Sequence, residues 1–302
     1  MGSGQTVTVK VDVGIACSKF QSNNWWQPVL SELLSVAQEG VAEIGKVHAV
    51  SSALPDHNKN LILDDRRFSK TDHNRNKIAR GFLHGDSEWL WFLDDDTVPP
   101  ENTLMHLLAM RRPFVAGLYH LARPPHNPLA YIRDEDGLYA SLWEYEHGTI
   151  AEVDSVGMGC TLIHKKVFKA IMEQYVEFQR PDGSVFPVHR DDIDKSSLAS
   201  NSSANGKKTR VRNMVLQMPL KHKDADDPRA FPFFAMEYGR TEDHFFCELA
   251  ARVGYKPVVD TAIVCQHWRE KPHARKDFRE YKERHPELQS VIDITRPTQG
   301  DK

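Results

Sequence analysis

The chain has 302 residues, 40% of them hydrophobic and 27% charged, enough to bury a full core as one large domain. Its 39 basic and 42 acidic side chains leave a net charge of -3, so no overall field draws in nucleic acid. No run of about 18 apolar residues is present to span a membrane, the opening "MGSGQTVTVKV" lacks the regions of a secretory signal, and the four scattered cysteines fit reduced thiols, so a cytoplasmic protein is expected.

Residues 7–16, "VTVKVDVGIA", alternate and then turn fully apolar, as a strand entering the centre of a sheet does. Residues 24–44 carry apolar side chains at helical spacing after an Asn-rich cap, and "KVHAVSSA" reads as a second strand. A helix over 72–83 leads into an apolar strand at 89–93; Pro99-Pro100 then opens a helix over "ENTLMHLLAM", followed by the strand "FVAGLYH". This alternation implies a largely parallel sheet covered on both faces, with ligands beyond the carboxyl ends of its strands. The second half is more mixed, with short strands in "NPLAYIR", "GLYASLWEY" and "IAEVDSVGMG" and a helix over 165–175. Periodicity is then lost from about 179 to 230, where "SSLASNSSANGKK" has the composition of a mobile loop. A helix over 241–253, the strands "KPVVD" and "AIVCQ" and a charged helical tail complete the chain.

Chemistry concentrates at "WLWFLDDDTVPP", where an apolar strand ends in three aspartates. Asp94 and Asp96 alternate and can turn toward one hard cation, Mg2+ or Mn2+, whereas a helix cap needs only one carboxylate. On the preceding helix, Arg75 and Arg80 are candidates for a diphosphate or for a solvated face; Lys77 suits the solvated face, and Asn76 is a further polar contact. Gly157 and Gly159 around Met158 allow either close approach of backbone to a ligand or a strand bulge and turn. Thr241 caps a helix whose positive first turn suits Glu242 and Asp243, and a carboxylate there also suits a general base. His267, after two apolar strands, is either structural or a group that closes a metal shell.

In order, Arg75-Asn76, Asp94-Asp95-Asp96, Gly157-Met158-Gly159, Glu242-Asp243 with Gly254-Tyr255, and His267 resemble the motifs of nucleotide-sugar glycosyltransferases of the GT-A fold, family-2-like, over residues 7–268. The resemblance implies an α/β GT-A (Rossmann-like) fold: a mixed, mostly parallel sheet flanked by helices, with 179–230 as a long irregular insertion that serves as an acceptor loop. It implies a catalytic domain over 5–270 and a helical tail over 271–302. It further implies transfer from a UDP- or GDP-sugar, with Mn2+ or Mg2+ held by Asp96 and His267. Asp94 would touch the ribose or the metal, with Asp95, Gly157 and Gly159 beside the donor, Arg75 and Asn76 near the diphosphate and Ser18 near the base. Asp243 would be the base of an inverting enzyme; retaining relatives share the metal site.

Two rivals come from other classes. "FLDDDTV" also fits haloacid-dehalogenase-type phosphatases, with Asp94 as nucleophile and Asp96 as acid/base, although that motif usually lies on the first strand. The clusters "GKKTRVR", "LKHK" and "KPHARK" are usually solvated faces but suit a polyanionic partner. DNA carrying hydroxymethylated bases, which some viral glycosyltransferases use, is therefore one acceptor class beside a glycan.

Overall fold

The computed structural model describes residues 9–17, 23–51, 70–179, 185–192, 231–236, 240–268, 272–273 and 275–286. A seven-stranded sheet is built from β1 (Val9–Cys17), β2 (Ala42–Ser51), β3 (Trp89–Asp94), β4 (Phe114–Leu118), β5 (Ile150–Glu152), β6 (Cys160–His164) and β7 (Val258–Val264). Its order is β2-β1-β3-β6-β4-β7-β5. Strands β1, β2, β3, β4 and β7 run one way, while β6 runs antiparallel to both β3 and β4, and β5 antiparallel to β7. The fold is thus α/β with a mixed, mostly parallel sheet flanked by helices, as the alternation of elements implies.

Period-two alternation sends side chains to both faces. Leu90 and Phe92 enter one core with Ile78 and Phe82 of α2 (Lys70–Leu83), Val167 and Ile171 of α4 (Lys165–Gln174) and Phe246 of α5 (Glu242–Arg252). Trp91 and Leu93 enter the other, with Val29 and Val36 of α1 (Asn23–Gln38) and Leu104 and Leu107 of α3 (Thr103–Ala109). The segment 231–236 inserts Phe233 and Phe234 into the first core, Phe234 stacking on Phe246 at 4.7 Å.

Several boundaries differ from the sequence reading for local reasons. The first helix ends at Gln38 rather than 44, because Gly40 takes a left-handed φ of +67 and closes a Schellman motif. Its bonds run from Gly40 N to Ala37 O (3.2 Å) and from Val41 N to Val36 O (3.2 Å), and they free Ala42 to start β2. Helix α3 starts at Thr103, not at the prolines, and its amino end is capped from a distance. The Glu32 carboxylate of α1 accepts the N–H groups of Asn102 (2.6 Å) and Leu104 (2.7 Å). The "VVD" of "KPVVD" and the "AIV" of "AIVCQ" merge into the single strand β7, while Gln266 opens the strand Gln266–Trp268. Within the stretch read as irregular, Val185–His189 is a strand paired with Tyr175–Gln179; residues 193–230 lie outside the described residues.

A charged group sits inside the first strand pair. Asp12 of β1 is 1% exposed, and its carboxylate accepts Ser87 Oγ–H (2.5 Å) and Lys46 N–H (2.7 Å) and meets His48 Nε2 at 2.6 Å. Burial alone would raise its pKa, but those three partners outweigh burial and lower it below the ordinary 3.8. A group so shifted contributes stability above 3.8 that is lost as pH falls through the lowered value. Asp12→Ala should therefore cost about 3 kcal/mol in urea unfolding at pH 7, and the gap from wild type should narrow as the acid limb is crossed.

Candidate functional site

The site lies at the carboxyl end of β3, where four parts of the chain converge. At the last residue of β3, just beyond its register with β6, Asp94 N donates to Gly159 O at 3.0 Å, so "DDD" leaves the sheet beside the glycine segment ahead of β6. The chain then forms Thr97–Val98, one strand of a three-stranded sheet whose other members are Gln266–Trp268 and Pro272–His273. Register pairs His267 with Thr97, and Trp268 N donates to Asp96 O at 2.6 Å. Residues far apart in sequence are thereby fixed side by side. His267 Nε2 lies 3.3 Å from Asp96 Oδ2.

Arg75 holds the other half. It is 2% exposed, and its guanidinium makes a fork onto Asp94, Nη1 to Oδ1 at 2.9 Å and Nη2 to Oδ2 at 3.0 Å. Its Nε faces Asp243 Oδ1 at 3.4 Å and Glu242 Oε1 at 3.7 Å, both on the first turn of α5. Burial would lower the Arg75 pKa, but Asp94, Asp243 and Glu242 outweigh it and hold the side chain charged. Asp243 moves the opposite way: burial drives its pKa well above the usual 3.8, Arg75 opposes, and Glu242 and Asp94 add to the rise. The backbone N–H of Met158, between the two glycines, also opposes the rise.

Tyr119 follows β4 and joins the halves. Its hydroxyl accepts Gly159 N–H at 3.0 Å, and its ring meets His267 edge-on at 5.4 Å. A Cβ at Gly157 would come within 2.2 Å of that hydroxyl, and one at Gly159 within 2.8 Å of the Tyr119 ring and of Thr97 Oγ1. The backbone approach that the glycines permit is thus to the protein's own phenol. Burial, with Asp94 and Asp243 adding, raises the Tyr119 pKa, which keeps the hydroxyl protonated.

The sequence candidates divide accordingly. Arg75, Asp94, Asp96, Gly157, Gly159, Asp243 and His267 meet around one locus, and Asp95 is buried between its neighbours. Asn76 points elsewhere: its carboxamide donates to Phe234 O (2.6 Å) and accepts Phe234 N–H (3.1 Å), so it pins the 231–236 segment. Lys77 is exposed, and Arg80, five residues beyond Arg75, is rotated by about 140° around the helix. Thr241 occupies the N-cap position of α5 without a side-chain bond. Ser18 lies outside the described residues. Sequence reasoning gave Tyr119 and His120 no role; their signals were a polar pair ending the apolar strand "FVAGLYH" and their place in "AGLYHLARPPHNPLAY", which resembles the segment after the Asp-x-Asp helix in some GT-A enzymes.

For a divalent cation the donor chemistry fits in part. His267 Nδ1 donates to His120 O at 2.8 Å, which leaves Nε2 as the ligating nitrogen beside the Asp96 carboxylate. Among the described residues no cluster of three or more such donors forms. Two protein donors, completed by water and phosphate oxygens, suit Mg2+ or Mn2+ held jointly with a substrate.

No protein-family model matches the sequence, and no curated protein does. Among solved structures, the chain is similar to A197 from STIV, at 15% identity over 88% of this chain and 89% of that one, with a TM-score of 0.42. It is similar to GalNAc-T7, solved with UDP, GalNAc and Mn2+, at 9% identity over 92% of this chain and 48% of that one, TM-score 0.39. A glycosyltransferase involved in glycosylation of the major capsid of PBCV-1 matches at 11% identity over 52% of this chain and 61% of that one, TM-score 0.24.

Proposed function

We propose that the chain is a metal-dependent glycosyltransferase that moves a sugar from a nucleoside diphosphate, UDP or GDP, to an acceptor hydroxyl with inversion. The observation that carries this reading is the assembly, at one end of the sheet, of two unlike acidic halves. In one, Asp96 stands beside the fixed Nε2 of His267. In the other, Asp94, Glu242 and Asp243 surround the buried Arg75. The first suits a cation and its diphosphate; the second suits a base and a polar substrate.

When bound, the cation neutralises charge building on the departing nucleoside diphosphate. Asp243 accepts the acceptor's hydroxyl proton as the oxygen bonds to the anomeric carbon and the bond to the diphosphate breaks, the leaving group keeping the electron pair. Burial suits Asp243 to this role, because an elevated pKa makes its carboxylate a stronger base than an exposed aspartate. Arg75 keeps that carboxylate and Asp94 in a fixed orientation. The phosphatase reading requires Asp94 as attacking group, and the guanidinium fork onto both of its oxygens disfavours it. A glycan, a protein side chain, a small metabolite and a hydroxymethylated DNA base are acceptor classes for this reading; "GKKTRVR" and "LKHK", which motivated DNA, lie outside the described residues.

Thermal-shift measurements with UDP and GDP test the reading. Nucleotide at a hundredfold excess over Kd should stabilise the fold by about 2.7 kcal/mol when Mn2+ is present, and Asp96→Ala or His267→Ala should remove the metal dependence. Equal stabilisation in chelator would overturn the metal assignment.

A second outcome concerns pH. The raised Asp243 pKa means that its stability contribution is full below 3.8 and is lost as pH rises through the folded-state value. Asp243→Asn, which cannot ionise, should gain stability relative to wild type across that rise in chemical unfolding, while acceptor-dependent transfer falls about 10²–10⁴-fold.

A further inference from the structure

The charged tail expected at 271–302 includes a helix, α6 (Arg275–Arg284), that docks behind the candidate metal site. Its Phe278 is 4% exposed, packs on His120 at 5.1 Å between centroids, meets Trp143 edge-on at 5.2 Å and stacks on Tyr145 at 6.4 Å. Tyr281 faces the His126 ring at 6.2 Å, and Lys282 pairs with Glu144. His120 is fully buried, its Nε2 3.1 Å from the Tyr145 hydroxyl. It is the His120 carbonyl that receives His267 Nδ1–H. A carbonyl only accepts, so this bond requires the proton on Nδ1. Burial disfavours a charged ring, but the Asp96 carboxylate beside Nε2 outweighs it and favours a second proton there, so Nε2 is bare only in the neutral ring or when a cation displaces that proton.

We infer that α6 is a positioning clasp: Phe278 and Tyr145 hold His120, and the His120 carbonyl selects the ring tautomer and orientation in which His267 offers Nε2 to a cation. The inference rests on the metal-binding role proposed above, and Phe278 and Tyr145 are positioning residues that touch neither cation nor substrate. Apolar packing supplies the force, since Phe278 leaves water against three aromatic partners. Ligand-orienting groups of this kind typically alter metal affinity about 10–100-fold. Helix α6 therefore sets the affinity of a site to which it contributes no ligand.

Nitrogen-15 NMR of the full chain without metal tests the inference, with the His267 signals assigned by comparison with His267→Gln. In the neutral ring, wild type should show a protonated Nδ1 and a bare Nε2. Phe278→Ala should populate the other tautomer and weaken Mn2+ binding, read by electron paramagnetic resonance without nucleotide, about tenfold or more. Phe278→Leu, which keeps the apolar contact, should restore both readouts. Tyr145→Phe, which removes one hydroxyl and preserves the packing, should shift the tautomer balance the same way even if Phe278→Ala fails to fold. A neutral wild-type ring protonated at Nε2 rather than Nδ1, or an unmoved tautomer in both Phe278→Ala and Tyr145→Phe, would overturn the clasp. If the tautomer shifts as expected but wild type fails to bind Mn2+, the clasp stands and the metal-dependent reading falls.

Discussion

The Arg75 guanidinium is the interaction on which the site depends. Two unit charges 4 Å apart at an effective dielectric near 20 repel by about 4 kcal/mol, and Asp94, Glu242 and Asp243 crowd one buried locus. A single guanidinium can face all three because its donors spread in a plane; the fork takes Asp94 and the Nε edge takes the two carboxylates of α5. A lysine ammonium, a compact point charge, would not reproduce that geometry. One positive charge still does not balance three negative ones. The residual repulsion and the burial fall on Asp243, whose proton affinity rises as a result. The same constraint sets packing, since it ties α2, β3 and the start of α5 together at one end of the sheet.

The other half is built differently. Asp96 and His267 depend on main-chain pairing, Thr97 with His267 and Asp96 O with Trp268 N–H, in a small sheet at the end of β3. Backbone register fixes position more tightly than a surface ion pair could, because exposed pairs contribute about 0–1 kcal/mol and readily exchange partners. Asp96 is 28% exposed at its side chain against 19% for Asp94, so the half assigned to a cation is the more accessible. Tyr119 separates the halves and fills the space over the two glycines with an aromatic edge and a hydrogen bond.

The fold class was legible because it rests on local regularities: alternation in "VTVKVDVGIA", the apolar run before "DDD" and the helical spacing of "ENTLMHLLAM". Boundaries failed where a distant residue or a terminating turn decided the matter, as with Glu32 capping α3 and Gly40 closing α1. Within the site, residue types marked candidates but not their partners. Asn76 beside Arg75 looked equally available, yet helical rotation turns one toward the strand end and the other toward Phe234. That a glycine pair leaves room for Tyr119, or that His120 presents a carbonyl to His267, depends on contacts between segments 40 and 147 residues apart, which composition cannot encode.

The reversed direction of β6 has a broader effect on how the molecule can vary. Because that strand runs against β3 and β4, the turn entering it, rather than the turn leaving it, abuts the rim where β3 ends. Two connections of opposite polarity therefore share one edge: the exit from β3 carries the acids, and the entrance to β6 carries the small residues that fit around Tyr119. Length changes in the exit of β6 fall at the far end of the sheet, beside His164 and Trp89, away from the candidate site. Insertions ahead of β6 would instead reshape the rim itself, so variation of the candidate site has a short, identifiable stretch of chain in which to arise.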